Sequence, residues 1–243
     1  MGRVLVTGGS GFIGREVCRL AAERGHDAVS VARSGRPAFG RSGGGKGNGR
    51  DGRDDPVWAD EVNWVAASVF EPRCWRRYLD GCDGVVHSIG IIDDDPNEGI
   101  VLERVNGDAA ILAGLEAERA GVPSFSFVSA SVTPPGAREA YLTAKRRAER
   151  ELRELDVSVA RLRPGPVYGE REPNPHFSRV TNRTLRELGE RERVARCFGD
   201  VRPLSVTGVA AVALETALDA EQRGLYDIPA IAGARLVPIE TEL

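Results

Sequence analysis

The stretch RVLVTGGSGFIGREVCRLAAER, residues 3–24, contains the strongest indication of the fold in this sequence. Its first five residues are a short apolar run, which predicts a buried strand. From Phe12 onward apolar residues recur at helical spacing, and Gly25 supplies a stop after the helix. Gly8, Gly11 and Gly14 lie around the junction of strand and helix. This order of strand, glycine turn and helix predicts the first unit of a nucleotide-binding α/β fold.

The rest of the chain continues the alternation. Further strands are predicted at 27–32, 62–67, 83–90, 124–130 and 157–163, and helices at 101–120 and 137–155. Strands that alternate with helices form a parallel sheet covered on both faces. We therefore expect an α/β fold, a Rossmann-type doubly wound parallel sheet, forming one domain over residues 1–243.

One segment, residues 34–56, interrupts this order. It contains eight glycines and very few apolar residues. Such a composition cannot bury enough surface to offset the entropy lost on ordering. The segment is therefore predicted to be a flexible surface insertion after the second strand.

Composition excludes several kinds of protein. The net charge of −3 gives no electrostatic footprint for nucleic acid. Arg146 and Arg147 alternate with glutamates, a pattern typical of a solvated helix face. No apolar run approaches the roughly 18–20 residues that span a bilayer. Four cysteines without a CxxC pair and three histidines predict no metal site, and reduced thiols favour a cytoplasmic location.

The glycine turn predicts a dinucleotide site, because its backbone can approach a pyrophosphate and the helix offers unpaired N–H groups. A carboxylate after the second strand would select NAD(H). The chain has Arg33 and Arg36 there instead, and either guanidinium could bond a 2′-phosphate. We therefore expect NADP(H) over NAD(H). The alternative is that both are solvated arginines in an arginine-rich chain.

Several segments together resemble the extended or atypical short-chain dehydrogenases/reductases, of the NAD-dependent epimerase/dehydratase type, over nearly the whole chain. They are TGGSGFIG (7–14), GVVHSIG (84–90), VNGDAAILAGLEAERAGVPSFSFVSAS (105–131), LRPGPVYGERE (162–172) and RPLSVTGVAAVALETAL (202–218). SVARSGRP (30–37) and VNWVAASVFEPRCW (62–75) are most similar to the NDUFA-nine-like branch. That branch includes a complex I accessory subunit and a fungal enzyme of coenzyme Q biosynthesis. The resemblance implies NADP(H) binding and quinone-related assemblies.

The resemblance also gives YLTAK, residues 141–145, a role. The chain has 31 arginines and only two lysines, Lys46 and Lys145, so a lysine four residues after Tyr141 is notable. Spacing of four places both side chains on one helix face. The family's YxxxK pair implies that Tyr141 is the acid/base, and that Lys145 lowers the phenol's pKa and bonds the nicotinamide ribose.

Further site residues follow from the same resemblance. Ser131, with Ser129 as the alternative, would hold the substrate oxygen, and Asn106 would order a relay water or be an ordinary polar helix residue. The expected cofactor-binding residues are Gly8, Gly11, Phe12, Ile13, Gly14, Arg33, Arg36, Ser68 and Lys145.

Three departures from the family pattern stand out. Ser131 precedes Tyr141 by only ten residues, and Ser68 stands where many relatives carry an aspartate facing adenine. The chain is also short for an extended member. A small substrate-binding part is therefore expected from about 164–200 and 225–243.

The leading functional expectation is an NADP(H)-binding oxidoreductase that transfers hydride between nicotinamide and a small carbonyl or alcohol substrate, quinones included. The alternative is a non-catalytic NADP(H)-binding accessory or assembly subunit of a larger complex. A sugar-nucleotide epimerase or dehydratase is a weaker alternative, since the short C-terminal region leaves little room for the nucleotide. Peripheral association with a membrane complex and the oligomeric state both stay open.

Overall fold

The computed structural model describes residues 1–39, 55–94, 101–134, 137–169, 179–190 and 201–233. Its strands are β1 (Arg3–Thr7), β2 (Asp27–Ala32), β3 (Val62–Ala66), β4 (Gly84–His87), β5 (Ser124–Val128), β6 (Ser158–Leu162), β7 (Val167–Tyr168), β8 (Leu204–Ser205) and β9 (Gly224–Tyr226). Its helices are α1 (Phe12–Glu23), α2 (Pro72–Trp75), α3 (Ala109–Arg119), α4 (Ala140–Arg153), α5 (Arg179–Glu190), α6 (Val206–Leu218) and α7 (Ile228–Ala232).

The main sheet has seven strands in the order β3-β2-β1-β4-β5-β6-β9. Every neighbouring pair in it is parallel. Strands β7 and β8 form a separate parallel pair. The chain reverses its direction of travel across the sheet between β1 and β4, and a crevice opens there at the carboxyl ends of the strands. The predicted Rossmann-type fold is confirmed.

Two apolar layers cover the sheet. Alternation along β1 sends Val4 and Val6 into one cluster and Leu5 into the other. The first cluster contains buried residues of α1 and α6, and the second contains those of α3 and α4. This packing fixes the start of α1 and the face of α4 relative to the crevice.

Some predicted elements differ at their ends. The strand predicted at 83–90 ends at His87, because residues 88–91 leave the sheet and are bonded from α4 and from the turn before α3. The helix predicted at 101–120 contains a turn of π-helix, Arg104–Asp108, before α3 begins. Strands β7, β8 and β9 were not predicted, since two or three residues give no measurable periodicity.

Phe39, in the first part of the predicted insertion, packs against residues outside the insertion. The Phe39 ring lies edge-on to Trp58, with centroids 5.2 Å apart, and 6.2 Å from Trp64. The guanidinium of Arg15 lies 4.0 Å from the Phe39 ring centroid. Phe39 is therefore packed, and the expectation of a flexible insertion over 34–56 stays a prediction. Residues 40–54 lie outside the described residues, as do 170–178, 191–200 and 234–243 of the expected substrate-binding part.

Candidate functional site: a dinucleotide cleft beside a tyrosine–lysine helix

The turn between β1 and α1, which contains Gly8 and Gly11, has a backbone conformation that requires glycine. Gly8 has φ of +85°, in the left-handed region, and its carbonyl accepts a hydrogen bond from the Gly11 N–H at 2.9 Å. A Cβ at Gly14 would overlap the Gly8 carbonyl oxygen and lie 2.5 Å from Ser88 Oγ. Gly11 caps α1 without a side-chain hydrogen bond. Gly11 has no side chain that could block the start of α1, so an anion can approach the N-terminus of this helix.

A cleft of about 840 Å³ opens above this turn, within the size range of small-molecule and cofactor sites. Residues that follow β1, β2, β3 and β4 form its wall: Gly8, Ser10, Gly11, Val31, Ala32, Arg33, Ser34, Ala67, Ser68, Val69, Phe70, Glu71, Ser88, Ile89, Gly90 and Ile91, with Arg104 and Val105 from the π-helical turn. Four of the predicted cofactor residues are among them: Gly8, Gly11, Arg33 and Ser68.

Three other predicted cofactor residues lie behind this wall. The Phe12 side chain is buried, and Ile13 packs against the core cluster of α1 and α6. Gly14 allows close packing of α1 on the turn. Phe12 and Ile13 can therefore reach a bound anion only through their backbone N–H groups at the start of α1.

The two arginines after β2 differ in their surroundings. Arg33 is exposed and lines the cleft beside Ser34, whose hydroxyl donates to Ser10 Oγ at 2.8 Å. Arg36 instead forms ion pairs with Asp55 at 2.9 Å and Asp60 at 2.7 Å. Arg36 is not among the residues that line the cleft, and its part in cofactor binding stays a prediction. Ser10 and Ser34, absent from the prediction, lie beside Arg33 instead.

Lys145 and Asn106 hold the wall of the cleft. The buried Lys145 amine donates to the carbonyls of Ile89 at 3.1 Å and Val128 at 3.0 Å. The Asn106 amide is also buried; its oxygen accepts from the Ile91 N–H at 3.2 Å and its nitrogen donates to the Ile91 carbonyl at 2.9 Å. In this structure both predicted catalytic residues bind the backbone of residues 89–91. The Asn106 side chain therefore holds the loop at Ile91, and its part in ordering a relay water stays a prediction.

Tyr141 lies on the same helix face as Lys145 but is only partly buried. Burial raises the pKa of Tyr141 to about 12, and the charge of Arg146 opposes that rise. Burial also lowers the pKa of Lys145 to about 7, opposed by Glu149. The lowering of the phenol's pKa by Lys145, which the family's YxxxK pair implies, stays a prediction.

The two candidate serines have different partners. The buried Ser129 hydroxyl donates to the Glu149 carboxylate and accepts from Arg146 at 3.3 Å. Ser131 is half-exposed, and its N–H donates to the Pro164 carbonyl at 2.9 Å. Glu149 and Arg146 both bond the Ser129 hydroxyl, and the choice of Ser131 over Ser129 as the serine that holds the substrate stays a prediction.

Glu149 is the main residue that the sequence pattern misassigned. It is buried rather than solvated, and it pairs with Arg146 at 2.5 Å and with Arg163 at 2.5 Å. Burial would raise the pKa of Glu149, but the hydrogen bonds from Arg163 and Ser129 and the charge of Arg146 together lower it. Arg146 also donates to the Ala130 carbonyl at 2.8 Å. Charge alternation on α4 gave no signal that one glutamate faces inward.

We expect the nucleotide-free protein to become more stable as pH rises from about 7 to about 9. The unfolded lysine, with a pKa of 10.5, keeps its proton over this range, whereas folded Lys145 loses it. The unfolded state then binds more protons, so the free energy of unfolding should rise by about 2 kcal/mol. Burial raises the pKa of Cys18 to about 12 and that of Cys82 to about 11, so the two thiols begin to oppose this gain as pH approaches their ordinary value of 9.0.

Urea unfolding at both pH values measures this gain. Lys145→Met, which keeps the stem and removes the amine, should abolish most of it. An equal gain in the unmodified and Lys145→Met proteins would contradict the assignment.

Within the described residues no group of three or more His, Cys, Asp and Glu side chains could hold a metal ion, and no helix has the length and apolarity to cross a membrane. The parallel sheet, the glycine turn and the cleft at the strand ends define a Rossmann-type dinucleotide-binding protein. The chain belongs to the NAD dependent epimerase/dehydratase family, whose profile matches residues 4–208. The family predicted from the sequence motifs is confirmed.

Curated relatives cover about 70% of the chain. A chloroplastic protein of Arabidopsis thaliana is 36% identical over 71% of this chain and 53% of its own length. MIOREX complex component 2 of Saccharomyces cerevisiae is 26% identical over 69% of this chain and 73% of its own. Ceramide reductase of Caulobacter vibrioides is 32% identical over 69% of this chain and 47% of its own. The chain thus spans about half the length of two of these relatives.

Among solved structures, the enzyme WbmG of Bordetella bronchiseptica, in complex with NAD and UDP, superposes with a TM-score of 0.62. The match covers 99% of this chain and 81% of that one at 17% sequence identity. At this identity the likeness shows the fold alone.

Proposed function

We propose that the chain is an NADP(H)-dependent oxidoreductase that interconverts a carbonyl and an alcohol. The observation that carries the proposal is the bond from Lys145 to Ile89, because it joins the helix face of Tyr141 to the wall of the dinucleotide cleft. A helix held against the cleft at this point can present a phenol to a substrate that lies on the cofactor. The Caulobacter relative named a ceramide reductase supports a reductase of the same general kind.

The chain's own residues would share the chemistry as follows. The dinucleotide, when bound, supplies or accepts the hydride at its nicotinamide ring. Tyr141, whose phenol is protonated at neutral pH, donates a proton to the carbonyl oxygen as hydride addition makes that oxygen basic. Ser131 holds that oxygen, and Lys145 and Asn106 hold residues 89–91 beside it.

The surroundings of Arg33 support NADP(H) over NAD(H). Arg33, Ser34 and Ser10 line one end of the cleft, and together they offer a guanidinium and two hydroxyls. Arg33 forms no ion pair with any carboxylate in the described part of the chain. A bound 2′-phosphate would form an ion pair with Arg33, strengthened by charge-assisted hydrogen bonds.

We expect NADPH to bind more tightly than NADH by about 1–3 kcal/mol. Arg33→Ala should remove most of this difference, as measured by calorimetric titration with both nucleotides. Arg36→Ala is the matched control, since Asp55 and Asp60 already hold that guanidinium, and it should keep the difference. Equal affinities of the unmodified protein for the two nucleotides would overturn the assignment of NADP(H).

Activity itself can be tested by following NADPH oxidation with quinones, prenylated ketones, aldehydes and keto-lipids. Turnover of one class that Tyr141→Phe abolishes would support the proposal. UDP-sugars belong in the same screen, because a sugar-nucleotide epimerase is the weaker enzymatic alternative. Turnover of a UDP-sugar alone would favour that alternative.

One observation favours a second candidate function, a non-catalytic NADP(H)-binding subunit. The yeast relative is named as a component of a complex. On this hypothesis Tyr141→Phe is silent, and substitutions in the glycine turn abolish both nucleotide binding and association with co-purifying proteins. Purification from the source organism, followed by identification of bound nucleotide and partners, separates the two functions. A cytoplasmic location stays a prediction, and one relative is chloroplastic.

A further inference from the structure

An arginine and a phenylalanine meet at the wall of the cleft. The guanidinium carbon of Arg104 lies 4.4 Å from the centroid of the Phe70 ring, within the range of a cation–π contact. Both residues line the cleft, Phe70 from the segment after β3 and Arg104 from the π-helical turn before α3. The contact therefore joins two elements across the cleft wall.

Among the described residues, Arg104 has an aromatic ring rather than a carboxylate as its partner. In the described residues Arg19, Arg24, Arg119, Arg138 and Arg147 each pair with a carboxylate. Arg104 makes no such pair there, although Glu71 also lines the cleft. The Arg104 guanidinium contacts the Phe70 ring on one side, and the Arg104 side chain is exposed on the cleft wall.

The backbone at Arg104 is held in place. Asn106, two residues on and in the same π-helical turn, makes both of its amide hydrogen bonds to Ile91 in the cleft wall. π-Helical turns occur frequently at functional sites. The guanidinium is thus carried by an anchored turn.

Residue 68, in the cleft wall after β3, is a serine and not an acidic residue. Its hydroxyl accepts the Phe70 N–H at 3.3 Å, and it carries no carboxylate that could bond the amino group of an adenine. The 2′-phosphate proposed to bind at Arg33, after β2, would place the adenine over the segment after the adjacent strand β3. That segment contains Ser68 and Phe70.

We infer that Arg104 and Phe70 form the adenine-binding edge of the cleft, with the guanidinium stacked between the phenylalanine ring and the adenine. Guanidinium planes stack on aromatic faces, and the attraction grows when a ligand displaces water. The inference rests on the proposed binding of NADP(H). It assigns the recognition of the base to stacking rather than to a hydrogen bond from residue 68.

Calorimetric titration with three probes tests the assignment: NADPH, 2′,5′-ADP and reduced nicotinamide mononucleotide. Arg104→Ala should weaken NADPH and 2′,5′-ADP by the same factor, about tenfold, because both contain the adenine. Affinity for the mononucleotide, which lacks adenine, should not change. Arg104→Lys keeps the positive charge but lacks the planar guanidinium, so its affinities for the three probes should match those of Arg104→Ala.

Arg150→Ala removes an exposed arginine on α4 and is the control for net charge; it should leave all three affinities unchanged. Full affinity of Arg104→Lys for 2′,5′-ADP would show that Arg104 acts as a point charge on a phosphate, and would overturn the stacking assignment. Unchanged binding by Arg104→Ala would overturn it as well. If the unmodified protein binds neither NADPH nor 2′,5′-ADP, the proposed function fails, and that outcome is visible before any variant is made.

Discussion

Replacing Tyr141 by phenylalanine should lower turnover by about 10²–10⁴-fold and leave NADPH affinity unchanged. The substitution keeps the ring and removes only the hydroxyl, and a positioned proton donor contributes a factor of this size. The phenol carries its proton at neutral pH, and burial, which raises its pKa to about 12, keeps it protonated until the developing alkoxide accepts the proton. Turnover is measured with the carbonyl substrate found by screening, and affinity by calorimetry.

Tyr78→Phe is the matched control for this experiment. The Tyr78 hydroxyl accepts a hydrogen bond from Arg77 at 2.9 Å, away from the cleft lining, so both turnover and affinity should persist. Unchanged turnover in Tyr141→Phe would remove the phenol from the mechanism and leave the binding-subunit hypothesis.

Gly14→Ala should lower both the free energy of unfolding and the affinity for NADPH. The added methyl group would overlap the Gly8 carbonyl oxygen and press on Ser88 Oγ, so the backbone of the turn must shift. Overpacking of this kind costs about 1–3 kcal/mol, against about 1 kcal/mol that alanine gains over glycine in a helix. The shifted carbonyl belongs to the turn that would face the pyrophosphate, so affinity should fall at least about tenfold.

Gly208→Ala is the control, because Gly208 is also the third residue of its helix, α6. A methyl group there meets only the Ser205 hydroxyl, at 3.0 Å. Chemical denaturation and calorimetry on both variants make the comparison. A Gly14→Ala protein with native stability and native affinity would contradict the role of Gly14 in shaping the turn.

The order of elements could be predicted from the sequence because the relevant signals are local. Residues 3–24 contain a strand, a turn and a helix whose apolar spacing is visible without any long-range contact. The Tyr141–Lys145 pair was found for the same reason, since a spacing of four on a helix is a local property. Strands β7, β8 and β9 were too short to give such a signal.

The partners of the site residues could not be predicted, because they are distant in sequence. Arg36 meets Asp55 and Asp60, which lie 19 and 24 residues further on. Lys145 finds its carbonyl partner Ile89 across 56 residues. Charge pattern alone also cannot separate a buried glutamate such as Glu149 from its solvated neighbours, since burial depends on which face of α4 meets the sheet.

The ion pairs and the hydrogen bond of Glu149 connect three separate segments of the chain. One carboxylate joins helix α4, where it resides, to Ser129 at the end of β5 and to Arg163 at the end of β6. Moving any one of these segments away from the others would leave a buried charge without its partners, which costs several kcal/mol. A displacement of the chain at Arg163, where it leaves the sheet, is therefore coupled through Glu149 to the helix that carries Tyr141, by contacts that do not include the glycine turn.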